Sequence, residues 1–303
     1  MTVRSTDSPV AGGRSIAVVT DSTAGLSAAE QRQLGVAVVG LHVLENGREI
    51  TADSEGSFPV VVAAAKTTGT SRPSPGEFLT CYENLASRGV QGIVSVHLSA
   101  QLSGTRDAAL LAARSASVPV HVIDSAMAGA GLGNAVRRTA PIVAGLSPQE
   151  AGEVARGIVR AVADTTSTFF YVHSLENLRK GGRIGAAAAF LGTALSVKPI
   201  LQLADGHIEP VEKLRTTGRA VSRLVELAVS RARQLLDPVT VTVQHVDATE
   251  RADLLAEKLT QALITQNIPV TSVSVAPVDE VLAVHVGPGA VGVFVTGTPA
   301  EPT

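Results

Sequence analysis

Ile93 to Val96 is a run of β-branched residues broken only by Ser95. It leads into the polar loop Leu98-Ser99-Ala100-Gln101-Leu102-Ser103-Gly104-Thr105 and the alanine-rich stretch Arg106 to Ala116. β-Branched side chains favour a pleated strand and alanine favours a helix, so the order is strand, polar loop, helix. The same order recurs along the chain. Ser15 to Val19 leads through Thr20-Asp21-Ser22-Thr23 to a helical stretch at Leu26 to Leu34, and Val118 to Ile123 leads through Asp124-Ser125 to Ala126 to Val143. Strands alternating with helices in this way predict a parallel, doubly wound α/β sheet. Small ligands settle at the C-terminal strand edge of such a sheet, where Ser99, Ser103 and Thr105 would place hydroxyls. The same residues also suit a helix start, where Ser and Thr accept from free backbone N–H groups. Asp21 and Ser22 pose the same choice.

Between these units, Val36 to Leu44 reads as a strand, Glu45-Asn46-Gly47-Arg48 as a turn, and Phe58 to Lys66 as a helix with Pro59 in its first turn. Thr70-Ser71-Arg72-Pro73-Ser74-Pro75 is a second hydroxyl-rich loop, stiffened by its prolines, and Glu77 to Ser87 returns to helix. Ser147 and Glu150 form a capping box ahead of the helix Pro148 to Ala163, and a domain boundary falls there or slightly later. Beyond it, Ser167 to Val172 is a strand and Leu175 to Arg179 a helical turn. Arg179-Lys180-Gly181-Gly182-Arg183-Ile184 is either a glycine turn that wraps a phosphate between cations or a turn on a solvated face. Ala186 to Val197 reads as a helix whose small side chains allow close packing or room for a slender ligand. Ile200 to Leu203 and Ile208 to Leu214 flank Asp205-Gly206, a strong hairpin signal. The helices Thr217 to Leu236 and Glu250 to Thr265 then alternate with the strands Val239 to Val246 and Val270 to Val275. His285 is placed at the end of a strand, before Gly287-Pro288-Gly289.

Length and charge narrow the function. The 303 residues suffice for two domains, and a formal charge of -2 argues against a nucleic-acid footprint. Cys81 is the only cysteine, which excludes an intrachain disulfide and a cysteine metal cluster and suits a reducing cytoplasm. Met1 to Arg14 lacks the apolar core of a signal peptide and reads as a flexible tail, and no apolar stretch is long enough to span a bilayer. With 45% hydrophobic residues but only 3% aromatic, the core must be built from Ala, Val, Leu and Ile.

Nine short motifs now stand in order: Asp21-Ser22-Thr23, Thr70-Ser71-x-Pro73-Ser74, Leu102-Ser103-Gly104-Thr105, Asp124-Ser125, Lys180-Gly181-Gly182-Arg183-Ile184, Lys198-Pro199-Ile200-Leu201, Asp205-Gly206, Lys213-x-Arg215-Thr216 and His285-x-Gly287-Pro288-Gly289. In this order they resemble the DegV family of bacterial fatty-acid-binding proteins, which includes the binding subunits of fatty acid kinase. The likeness runs from about Ile16 to Val295. It implies a two-domain DegV-like fold, with an N-terminal doubly wound parallel sheet over 15–164 and a C-terminal α/β domain over 165–297. The resemblance likewise implies a fatty acid enclosed between the domains, and 1–14 and 298–303 are left as tails.

The resemblance further implies that Thr70 and Ser103 hydrogen-bond the carboxylate, with Ser71 and Gly104 beside them and His285 in the same network. Arg183 and Arg215 match basic residues tied to phosphoryl transfer or to docking the kinase's ATP-binding subunit. The implied ligand is a long-chain acid such as palmitate or oleate, with no further cofactor and no metal. The protein is then a cytoplasmic carrier rather than an enzyme, with no nucleic-acid partner and only transient membrane contact. Arg72 stands where Gln is common in the family and Ala100 where Ser is common; the second change removes a hydroxyl beside the site. Two other classes compete. One is a serine esterase using Ser103 and His285, which lacks the Gly-x-Ser-x-Gly elbow; the other is a phosphate-ligand enzyme using Gly181, Gly182 and Arg183, which lacks a P-loop.

Overall fold

The computed structural model describes residues 15–50, 68–190, 197–235 and 237–298. In chain order the elements are β1 (Ile16–Asp21), α1 (Ala28–Leu34), β2 (Val36–Val39), three short strands β3 (His42–Glu45), β4 (Arg48–Ile50) and β5 (Thr68–Ser71), then α2 (Pro75–Ser87), β6 (Gly92–His97), α3 (Thr105–Ala113), β7 (Val120–Asp124), α4 (Ala130–Val143) and α5 (Pro148–Thr165). There follow β8 (Thr166–Tyr171), α6 (Glu176–Lys180), β9 (Lys198–Ala204), β10 (His207–Leu214), α7 (Thr217–Gln234), β11 (Val239–His245), α8 (Thr249–Thr265), β12 (Val270–Pro277), α9 (Glu280–Val286) and β13 (Val291–Gly297). The described parts of Met1–Leu41 and Arg72–Ala163 form one compact unit, and those of His42–Ser71 and Asp164–Pro299 form a second.

The first unit is the sheet that the strand–helix alternation predicts. β2, β1, β6 and β7 lie side by side in that order, every pair parallel. β1 and β6 are buried along their whole length, as strands covered on both faces must be. Ala17, Val19 and Ile93 pack with Phe78, Tyr82 and Leu85 of α2 and with Ala108, Ala109 and Ala112 of α3. α4 packs against β1 and β6. Capping boxes start α1 at Ser27 and α2 at Ser74, each closed by a glutamate three residues on. The C-terminal strand edge gathers Asp21, the loop after His97, and Asp124.

The second unit is built on a sheet in the order β10-β9-β8-β13-β11-β12, in which only β11 and β12 run parallel. Ala220, Val221 and Leu224 of α7 and Leu255, Leu259 and Leu263 of α8 bury against the valines of β11 and β13. A small antiparallel sheet, β4-β3-β5, belongs to the same unit. Asn46-Gly47 and Asp205-Gly206 each place both residues in left-handed backbone, the type I′ geometry that matches hairpin twist.

Three local expectations change. Val36 to Leu44 is not one strand: β2 ends at Val39, and after Gly40 and Leu41 the chain resumes as β3 in another sheet. Both pieces carry apolar residues, so hydrophobicity alone hides the break. Gly185–Phe190 is a 3₁₀ segment rather than the start of an α-helix, with Gly185 at φ 49°. The remainder of Ala186 to Val197 up to residue 196 lies outside the described residues, as do the helix read at Phe58 to Lys66 and the tails 1–14 and 299–303. The domain division drawn from sequence places one boundary near 164, whereas His42–Ser71 groups with the second unit.

Candidate functional site

Thr70, Ser71, Arg183, Arg215 and His285 belong to the second unit, and Ser103 and Gly104 to the first. In the second unit β5 pairs with β3, Thr70 opposite Val43 and Ser71 opposite His42. Thr70 Oγ1 is hydrogen-bonded to His285 Nε2 at 2.9 Å. His285 is not at a strand end but in the last turn of α9. Asp279 starts that helix by accepting from the backbone N–H groups of Val281 and Leu282, overriding the β-branched character of Val281, Val284 and Val286. β13 begins only after the Gly-Pro-Gly turn.

The His285 ring lies against Gly181, where a Cβ would stand 2.3 Å from Nδ1. Nδ1 itself is buried without a hydrogen-bond partner among the described residues. Burial, and after it the Arg183 guanidinium, push the ring down from its ordinary 6.5 to about 4, so it is neutral near pH 7. We assign its proton to Nε2, because an orphaned lone pair costs less than an orphaned buried N–H. Nε2 then donates to Thr70 Oγ1, and the threonine O–H is left to donate to an anion.

The glycine turn is settled by its hydrogen bonds. The N–H groups of Gly181, Gly182 and Arg183 donate to the carbonyls of Asn177, Arg179 and Leu178, closing the end of α6. They are therefore committed, and the phosphate-wrapping reading fails. Asn177 Nδ2 donates to the Val284 carbonyl at 3.1 Å and ties α6 to α9, while the Arg183 guanidinium donates to the Gly181 carbonyl. Arg215 is exposed at the exit of β10.

In the first unit Ser103 Oγ is hydrogen-bonded to Thr105 Oγ1 at 2.8 Å. α3 starts after Gly104 with no side chain capping it, so Ser103 is not a helix cap. Arg72 Nη1 donates to the Gly104 carbonyl at 3.3 Å, and its guanidinium occupies the space a Cβ on Gly104 would need. Ser99 is fully buried and shapes the loop: its hydroxyl accepts from Gln101 N, and its carbonyl accepts from Leu102 N and Ser103 N.

One group of polar residues comes together only in the fold. Asp21, His97, Ser95 and Tyr82 are all fully buried. His97 Nδ1 lies 3.0 Å from Asp21 Oδ2, His97 Nε2 lies 2.7 Å from Ser95 Oγ, and Ser95 Oγ lies 2.9 Å from Tyr82 Oη. The available signal was two polar residues, Ser95 and His97, at alternate positions of an otherwise apolar strand, hence on one face and in need of partners. Among the described residues no cluster of His, Cys, Asp and Glu could hold a metal ion, and no helix is long and apolar enough to cross a membrane.

Comparison with known proteins follows the same lines. The family model described as "Uncharacterised protein, DegV family" matches residues 15–298. A DegV domain-containing protein of Streptomyces coelicolor is 42% identical over 292 residues, covering 93% of this chain and 99% of that protein. A DegV family protein from Thermus thermophilus, solved for its fatty acid binding, superposes with a TM-score of 0.81 at 30% identity, over 94% of this chain and 100% of the other. DegV of Bacillus subtilis, described as a fatty acid binding protein, gives 0.78 at 28% identity, over 94% and 100% of the two chains. With its parallel sheet, its second mixed sheet and a match running through both, this chain belongs to the DegV family.

Proposed function

We propose that the protein binds a long-chain fatty acid such as palmitate or oleate, its carboxylate accepting hydrogen bonds from Thr70 and Ser103, and presents it to a kinase subunit for conversion to acyl phosphate. The observation that carries this reading is the Thr70–His285 pair. A carboxylate taken from water needs donors, and a neutral imidazole that donates to Thr70 orients that hydroxyl toward an anion without adding a buried cation. The ligand class is supported by the Thermus and Bacillus relatives, both described as fatty-acid-binding. Ser71 and Gly104 flank the two hydroxyl residues in the chain. An acyl tail of about fourteen methylenes would contribute roughly 11 kcal/mol before ordering costs, and each hydrogen bond to the charged head about 1.5 to 3 kcal/mol. The tail supplies affinity and the hydroxyls supply orientation.

Arg183, whose charge reaches His285, and the exposed Arg215 are assigned to phosphoryl transfer or to docking the ATP-binding subunit. Such a carrier works in the cytoplasm and meets membranes only transiently. For an esterase, Ser103 would need a base, and the partner its hydroxyl has is another hydroxyl, that of Thr105.

Mass spectrometry of lipid extracted from the purified protein should show a long-chain fatty acid, and Ser103→Ala should weaken free-acid binding by about ten- to a hundredfold while barely changing methyl-ester binding. Recovery of no lipid, together with no binding of added palmitate or oleate, would falsify the proposal. Arg183→Ala and Arg215→Ala are expected to leave fatty-acid binding nearly intact and to impair phosphorylation by a partner kinase. Equal loss of both functions would remove the division of roles.

A further inference from the structure

We propose that Asp21 and Asp124 are positioning residues that hold the Ser103 loop from its two sides. β6, which leads into that loop, lies between β1 and β7, and each of these neighbours ends in an aspartate. Asp21 Oδ2 accepts from Leu98 N at 3.0 Å, and Asp124 Oδ1 accepts from Ala100 N at 3.2 Å. The intervening residue is fixed as well: Ser99 N donates to the Met127 carbonyl at 2.8 Å. The Ser99 carbonyl in turn accepts from Ser103 N at 3.1 Å, so the backbone of Ser103 is one hydrogen bond removed from the anchored residues.

Asp21 is fully buried, and both of its carboxylate oxygens already accept from the protein itself. A buried carboxylate is costly unless donors surround it, and Asp21 receives Thr23 N, Thr23 Oγ1 and Leu98 N, with His97 Nδ1 at 3.0 Å. His97 is held in turn by Ser95 and, through it, by Tyr82 of α2. The carboxylate can therefore neither rotate nor withdraw without breaking this set. Asp124 is the outer anchor; it also accepts from Ala126 N at 3.0 Å, and Arg106 Nη1 stands 3.8 Å from its other oxygen. Rigid support of this kind gives a binding hydroxyl a defined place.

The ligand side of this inference rests on the fatty-acid reading; the loop side does not. Amide hydrogen exchange on ligand-free protein, and affinities for a free fatty acid and its methyl ester, are measured for Asp124→Ala, Asp124→Asn and Asp21→Asn. In Asp124→Ala the amides of residues 98–105 are expected to exchange about tenfold faster while those of β6 keep their protection, and free-acid affinity to fall about tenfold with ester affinity unchanged. Asp124→Asn, whose amide oxygen still accepts, should restore both. Asp21→Asn, which keeps size but replaces an acceptor by a donor, should show the Asp124→Ala pattern and covers the case in which that variant folds poorly. Unchanged exchange in Asp124→Ala and Asp21→Asn, or acid and ester affinities that fall together, overturns the inference. If the unmodified protein binds no fatty acid, the ligand reading falls, and the exchange data alone uphold or overturn the anchoring.

Discussion

His285 is kept neutral by burial first and by Arg183 second, and that neutrality has a pH signature. The unfolded chain takes up a proton on this residue near 6.5, whereas the folded chain does so only near 4. Between these values the unfolded state binds more protons, so stability rises with pH across the window. The contribution is fully present above 6.5 and is lost as the pH falls toward 4. Its size is on the order of a few kcal/mol. Melting temperatures of the unmodified protein and of His285→Gln, compared from pH 7 down to 4, are expected to diverge above and converge below, with the variant's curve flatter through the window. Parallel curves would show that the ring titrates normally in the folded protein.

At the scale of elements, two glycines with similar backbone angles should respond differently to alanine. Gly181 has φ −71° and Gly104 φ −76°, so neither substitution strains the backbone. A Cβ on Gly181 would meet the enclosed His285 ring at 2.3 Å and the Asn177 carbonyl at 3.3 Å. The atoms nearest a Cβ on Gly104 are Nη1, Cζ and Cδ of the exposed Arg72 side chain, which can swing into water. Gly181→Ala is expected to cost about 1 to 3 kcal/mol and to weaken free-acid binding by moving His285, whereas Gly104→Ala should change stability by less than about 0.5 kcal/mol. Equal shifts in thermal melts of the two variants would mean that the approach of α6 to α9 does not matter.

What the sequence disclosed at this scale was local. The turn at Asn46-Gly47, the Asp205-Gly206 hairpin and the box at Ser147 and Glu150 are legible because all their determinants lie within a few residues. The parallel sheet is legible because its alternation repeats. α9 reads as strand in sequence because a valine-rich heptad outweighs a single capping aspartate in any count of propensities. The buried chain from Asp21 to Tyr82 is hidden in the sequence because Asp21 and His97 are 76 residues apart, and nothing near either one announces the other. Thr70 and His285 were paired only through family resemblance, and the glycine turn stayed ambiguous until the carbonyls of α6 were seen to claim its N–H groups.

At the scale of the molecule, the second unit is discontinuous in sequence. α9 packs against β3 and β5, so the helix that carries His285 depends on strands from early in the chain. A fragment spanning residues 164–303 is therefore expected to melt well below the full chain and to bind no fatty acid, because it lacks Thr70 and the sheet under α9. Full-length stability in that fragment would show that His42–Ser71 is dispensable to the unit. The 215-residue separation of Thr70 and His285 also sets a schedule. A ribosome adding about 5 to 20 residues per second makes Thr70 roughly 10 to 40 seconds before His285 exists. During that interval the hydroxyl has no imidazole to orient it, and β5 waits without the helix that will cover it. On the proposed reading, a fatty acid would be taken up only by the finished protein, since a nascent chain that ends before His285 has hydroxyls at Thr70 and Ser103 but no imidazole to orient the first of them.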